Sequence, residues 1–273
     1  MRRMRRLLPV VAGLALLASS AGCHYPPGTR YVDQVFDEVT VTSNVVYRTT
    51  TNYLGQTVNL QLDIYEPVDD TAAQRATVMW MHGGGWTFGD KSLMTAYAED
   101  SARRGYVAVS INYRLRDATS VPAALDAYED ALAAVQWLKD HAAQYRIDPE
   151  AIIVGGHSAG AINAAHVLFL PATSPAAGGV SLAGLTFGAP TAGDPPLIVH
   201  HGTADNIVPY VNGSGMCTET RDAGNVCDLF TYEDQGHLIP YQEPAATDIK
   251  NETAHSIMDR VLEPLGYPVE QPG

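Results

Sequence analysis

The chain has 273 residues, 46% of them apolar and 17% charged, which is enough to bury a sizeable core as one α/β domain or two small ones. Thirty acidic side chains against seventeen basic ones give a net charge of −13, which argues against nucleic acid as a partner. Three cysteines without a CxxC spacing argue against a cysteine-held metal site.

Residues 1–22 differ from the rest. Arg2, Arg3, Arg5 and Arg6 precede an apolar run from Leu7 to Leu17, then small residues from Ala18 to Gly22, then Cys23. This is the form of a secretory signal, and its apolar run is shorter than the ~20 residues a membrane-spanning helix needs. The ending "LLASSAGC" resembles a bacterial lipoprotein lipobox, with Ser20 where such signals prefer Leu. That resemblance implies a lipidated Cys23 as the new N-terminus and membrane association through the lipid; ordinary cleavage nearby is the alternative. The arginine pairs also resemble a twin-arginine signal, which implies export after folding. Removing the signal leaves 13 basic against 30 acidic side chains, a net charge of −17. The expectation is an exported protein, either a cell-envelope lipoprotein or a secreted one. In an oxidising compartment Cys217 and Cys227, ten positions apart, can form a disulfide; two buried free thiols are the alternative.

Residues 23–35, containing "HYPPGTR", read as a tether, and residues 36–273 as one domain. From Glu38 to Arg48 and from Thr57 to Pro67, with "NYLG" between, the pattern predicts an antiparallel hairpin at a sheet edge. Continuous apolar runs follow at Ala76–Met81, Tyr106–Ile111, Ala151–Gly156, Val180–Phe187, Pro196–His201 and Asp228–Tyr232. Strands apolar on both faces suit a buried, mostly parallel sheet. Helices are expected over Leu93–Arg104, Pro122–Tyr145, Ala159–Leu170 and roughly Ala245–Leu265. The alternation of strand and helix from residue 76 onward predicts a doubly wound α/β sheet with helices on both faces.

At the end of the third of these runs stands "VGGHSAGA", residues 154–161. A strand, a sharp turn and a helix put Gly156-His157-Ser158-Ala159-Gly160 in the G-x-S-x-G context of a nucleophile elbow. Such a turn brings neighbouring backbone close, so only small residues fit two positions either side of the serine. It also sets the hydroxyl at a helix N-terminus, where amides favour developing negative charge.

A serine needs a base to take its proton and a carboxylate to orient that base. Asp205 follows the strand ending at His201, and His237 follows the strand ending at Tyr232. Both therefore fall at strand C-terminal ends, where such a sheet presents its site. Asp234 is the rival acid, too close in sequence to His237 to reach the far side of its ring. The glycines of "MHGGGWTFGDK", after the strand ending at Met81, let backbone N–H groups point into a site.

Together HGGGW with Asp90 and Lys91 behind it, Asn112-Tyr113-Arg114-Leu115, GHSAG, HGTAD and the late Gly236-His237 resemble the α/β-hydrolase esterases. The chain is most similar to serine carboxylesterases and lipases with an HGGG loop, including hormone-sensitive-lipase-like and feruloyl-esterase-like bacterial enzymes. The resemblance implies an α/β-hydrolase fold, with Ser158 as nucleophile, Asp205 as acid and His237 as base. It also implies an oxyanion hole from the amides of Gly84, Gly85 and Ala159, no metal and no organic cofactor. Trp86, Phe88 and His157 are candidate pocket residues; core packing is the alternative for Trp86 and Phe88, and a place behind the pocket wall the alternative for His157. His157 departs from the Asp or Glu usual in the hormone-sensitive-lipase group. With only 47 positions between Ser158 and Asp205, no large cap domain is expected. The implied substrates are small or polymeric carboxylic esters; amide or peptide hydrolysis on the same fold is the alternative, and a non-catalytic binding module a third reading.

Overall fold

Described for residues 25–269, the computed structural model carries β1 (Val39–Thr51), β2 (Thr57–Pro67), β3 (Arg75–Met81), α1 (Thr95–Arg103) and β4 (Val107–Ile111). There follow α2 (Val121–Asp140), α3 (Ala142–Tyr145), β5 (Ile147–His157), α4 (Ala159–Phe169), β6 (Gly178–Leu182) and β7 (Leu197–Gly202). The last elements are α5 (Tyr210–Asp222), β8 (Cys227–Tyr232) and α6 (Ala245–Ile257).

β1 and β2 form the expected hairpin, paired from Val39 opposite Pro67 to Thr51 opposite Thr57. Its turn is held by the Asn52 side chain, which accepts from the amides of Leu54 and Gln56. The sheet order is β1-β2-β4-β3-β5-β6-β7-β8, antiparallel through β1, β2 and β4 and parallel across the other pairs. Every residue of β3, β4, β6 and β7 is buried, as continuous apolar strands in a parallel sheet require. One core layer joins the sheet to α2 and α4, with Ala123, Ala127, Ala131 and Ala134 allowing close approach. The other joins it to α1 and α6 through Met94, Tyr97, Ile249 and Ile257. Helices thus cover both faces, and among the described residues no cap domain rises over the C-terminal ends of the strands.

Several elements differ from expectation. β6 stops at Leu182, because Ala183 turns the chain with a φ of 54°, and residues up to Phe187 leave the sheet. The long helix breaks at His141 into α2 and α3, and the last helix passes at Met258–Leu262 into a wider π turn. α5 has no counterpart among the expected helices. Its sequence YVNGSGMCTETRD has two glycines and little apolar patterning, and packing of Met216 and Cys217 on the core stabilises it instead.

The stretch read as a tether is packed rather than free. Tyr25, Tyr31 and Val32 are buried in the α1/α6 layer, and the Arg30 guanidinium makes paired bonds of 2.8 Å to the Asp70 carboxylate. The prolines and Gly28 made this segment look unstructured, while its aromatic residues give it a core to join. The expected signal and Cys23 lie outside the described residues. Among the described residues no helix is long and apolar enough to cross a membrane.

Candidate active site

Ser120 and Ser158 both precede a helix, and the contrast between them defines the site. Ser120 has an extended backbone with φ −161°, and its oxygen accepts from the Ala123 amide as an ordinary N-cap. Ser158 has φ 53° and ψ −118° and makes no cap bond with its side chain. A non-glycine residue in that region is strained, and the strain persists because the surroundings over-determine it. The Ser158 amide donates to the Leu182 carbonyl at 2.9 Å, tying the turn to the end of β6. A methyl on Gly156 would lie 2.5 Å from the backbone of Gly160, and one on Gly160 would enter the Met81 carbonyl. The small residues around the serine are there because strand β3 and the first turn of α4 pass that close.

The glycine loop after β3 is equally constrained. Gly84 and Gly85 have φ of 115° and 58°, and Gly84 has no room for a side chain against the Phe88 carbonyl. Several neighbours hold the loop in place. The Trp86 carbonyl accepts from the Arg116 amide at 2.9 Å, and the Gly85 carbonyl from the Thr119 hydroxyl at 2.9 Å. Asn112 accepts from the Lys91 amide at 2.7 Å and donates to Asp90, which explains why those residue types accompany the loop. Lys91 also pairs with buried Asp63 at 3.0 Å. Tyr113 stacks on His82 at 4.3 Å between centroids and donates to its carbonyl.

Of the two candidate acids, Asp205 meets His237. The His237 Nδ1–H donates to Asp205 Oδ2 at 2.7 Å, while Asp234 is exposed in a turn with φ 56°. The other Asp205 oxygen accepts from the amides of Ile207 and Val208, each at 2.9 Å. Burial pushes this carboxyl up, but the bonds from His237 and the two amides outweigh it and hold it below the usual carboxylate range. A second imidazole also reaches it. His201 Nε2 donates to the Val208 carbonyl at 2.8 Å and lies 3.3 Å from Asp205 Oδ2. With Nδ1 of His237 committed to Asp205, Nε2 is left as the basic nitrogen.

One cleft of about 700 Å³ brings these parts together. Ser158, His237, Gly84, Gly85 and Ala159 all line it, as do Trp86, Phe88 and His157. Trp86 is buried and anchored, its indole N–H donating to Asn163 at 3.0 Å, whereas Phe88 is 66% exposed at the rim. Much of the wall lies outside the expected site residues: Ile162, Leu185, Phe187, Ile207, Leu238 and Tyr241. Ile162 stands on α4, Leu185 and Phe187 lie in the run expected as strand that leaves the sheet after Leu182, Tyr241 ends a short 3-10 turn, and Ile207 and Leu238 stand where no period marks them. Among the described residues no Asp, Glu, Lys or Arg lines the cleft. Among the described residues no group of His, Cys, Asp and Glu is placed to hold a metal ion.

Known proteins resemble this chain in sequence and in fold. Residues 62–174 match the BD-FAE family. Carboxylesterase 1C of Rattus norvegicus is 34% identical over 119 residues, which is 41% of this chain and 22% of that protein. Arylacetamide deacetylase of Oryctolagus cuniculus is 31% identical over 169 residues, 59% of this chain and 40% of that protein. The match thus spans well under half the length of these curated relatives. Over nearly the whole fold, the structure of Thermogutta terrifontis esterase 2 phosphoramylated by tabun superposes with a TM-score of 0.72 at 25% identity, covering 89% of this chain and 97% of that one.

Proposed function

The chain is an α/β-hydrolase, and on that premise we propose that it is an exported serine hydrolase of uncharged carboxylic esters, with Ser158, His237 and Asp205 as its catalytic triad. The observation that carries the reading is the 2.7 Å bond from His237 to Asp205, beside a strained Ser158 whose hydroxyl caps no helix, on one shared cleft. His237 Nε2 takes the Ser158 proton as Oγ attacks the ester carbonyl. The amides of Gly84, Gly85 and Ala159 receive the oxyanion. His237 then protonates the departing alcohol, and water, activated the same way, releases the acid from the acyl-enzyme. Asp205 stays ionised and steadies the imidazolium. An apolar cleft lined by no Asp, Glu, Lys or Arg among the described residues favours ester groups that are themselves neutral, since a charge buried there would lack a partner.

Export through a signal over residues 1–22 and lipid anchoring at Cys23 complete the proposal. It is supported by the Cys217–Cys227 disulfide, with Cα atoms 5.5 Å apart, a bond suited to an oxidising compartment. Intact mass of the protein made in a bacterial host with its leader tests both modifications.

The test of activity is hydrolysis of p-nitrophenyl acetate, butyrate and palmitate, methyl ferulate and an aminoacyl anilide by wild type and Ser158→Ala. Turnover of one or more esters that Ser158→Ala abolishes is the expected result. Preference for the anilide over every ester, or full activity in Ser158→Ala, would overturn the reading.

A further inference from the structure

His157 stands where it could be mistaken for the base, but its ring points elsewhere. It is 4% exposed, at the end of β5. Its Nε2 is 2.9 Å from the backbone carbonyl of His237, eighty positions later in the chain. A carbonyl only accepts, so Nε2 carries the proton and Nδ1 is the acceptor. The Tyr241 hydroxyl faces that Nδ1 at 3.4 Å, and the Tyr241 ring meets the imidazole edge-on at 5.1 Å. On its other side the ring lies against the glycine loop, where a methyl on Gly83 would fall 2.8 Å from Nδ1.

The imidazole therefore touches all three segments that must be in register: the serine turn it belongs to, the glycine loop and the His237 loop. The last of these has the least support from secondary structure. His237 follows β8 by five positions, in a turn whose next residue, Leu238, is 49% exposed. An ionised Asp or Glu at position 157 would accept rather than donate, so it could not hold this carbonyl.

Resting on the triad reading above, we propose that His157 is a positioning residue: its Nε2–H bond to the His237 carbonyl locks the His237 loop onto the serine turn. It takes no proton in the reaction. What it fixes is the distance from His237 Nε2 to Ser158 Oγ. Misplacement on the scale of an ångström costs about a hundredfold in rate even when its origin is away from the reacting atoms.

The experiment compares His157→Leu, which keeps bulk but removes the donor, with His157→Gln, whose side-chain amide can donate from nearly the same point. For His157→Leu we expect kcat to fall about a hundredfold, with KM within about threefold of wild type. His157→Gln should recover most of the lost kcat. Unchanged kcat in His157→Leu, or a folded His157→Gln as slow as His157→Leu, overturns the proposal. Should the variants fail to fold, ¹⁵N NMR of histidine-labelled wild type still decides it. A neutral His157 protonated at Nε2 at pH 7 is expected, and protonation at Nδ1 overturns it. An active Ser158→Ala would sink the triad reading itself. An inactive Ser158→Ala beside a fully active His157→Leu would sink only this proposal.

Discussion

Trp86 donates its indole N–H to Oδ1 of Asn163 at 3.0 Å, linking the glycine loop to the helix that follows Ser158. Both residues are buried, and Trp86 holds a left-handed backbone at φ 61° that the loop alone would not favour. The bond therefore secures a strained residue beside the two glycines assigned to the oxyanion hole. Asn163→Ala leaves the indole N–H buried without a partner and should cost about 1–3 kcal/mol in stability. Because the loop then moves relative to Ser158, kcat should fall as well. Urea unfolding and steady-state kinetics of Asn163→Ala, Trp86→Phe and the double variant measure both effects. A strictly additive double variant would mean that the two residues do not act through this bond.

Glycines sharply divide by what surrounds them. Gly156→Ala and Gly160→Ala place a methyl into backbone that cannot yield, so the expected outcome for each is loss of the serine turn, with little active protein recovered. Gly215, in α5, has open space where its Cβ would stand and no left-handed φ. Gly215→Ala should instead raise stability by about 0.5–1 kcal/mol through helix preference alone, with unchanged kcat. Thermal unfolding of the three variants side by side checks the contrast.

Those same clearances explain why the site was so legible in the sequence. Gly156 and Gly160 mark a place where backbone meets backbone, and such a constraint is written in residue type at fixed spacing. Asp205 and His237 could be located because each follows an apolar strand whose pattern is local. What was not legible depends on contacts distant in the chain. The partner of His157 is a carbonyl, which leaves no trace in residue type. The walls formed by Ile207, Leu238 and Tyr241 come from segments with no period, and Phe187 from a run whose apolar pattern suggests strand but which leaves the sheet after Leu182. Tyr25 and Tyr31 sat among prolines and a glycine that suggested a tether, and only the finished core shows what they fill. α5 was invisible because its stability is tertiary, from Met216 and Cys217 underneath it.

Cys217 lies in α5 and Cys227 begins β8, so their bond fastens that tertiary helix to the last strand of the sheet. The loop it closes is short, and the chain-entropy value for such a loop is about 3 kcal/mol. Cys217→Ser with Cys227→Ser should lower stability by roughly that amount. Because neither cysteine lines the cleft, kcat should stay close to wild type. Urea midpoints with and without reductant check the first point: reductant should shift wild type toward the double variant and leave the variant unmoved.

Acid should weaken the fold before the carboxylates titrate, because several histidines are buried neutral. Burial pushes His157 and His166 down to about 4 and His200 to about 3, from an ordinary value of 6.5. As the pH falls below 6.5 the unfolded chain takes up protons that the folded chain still refuses, so the unfolded state gains. The contribution of these histidines is thus fully present above about pH 6.5 and lost progressively as the pH approaches their folded values. His166 isolates the effect. It is 2% exposed between Tyr128 and Phe187, neither ring nitrogen has a protein partner, and it does not line the cleft. His166→Leu removes both the unpaired polar atoms and the titration. Its stability relative to wild type should therefore be greater at pH 5 than at pH 8, with kcat at pH 8 unchanged. Urea midpoints of both proteins at the two pH values decide it: an equal difference at pH 5 and pH 8 would mean that His166 is not held neutral in the fold.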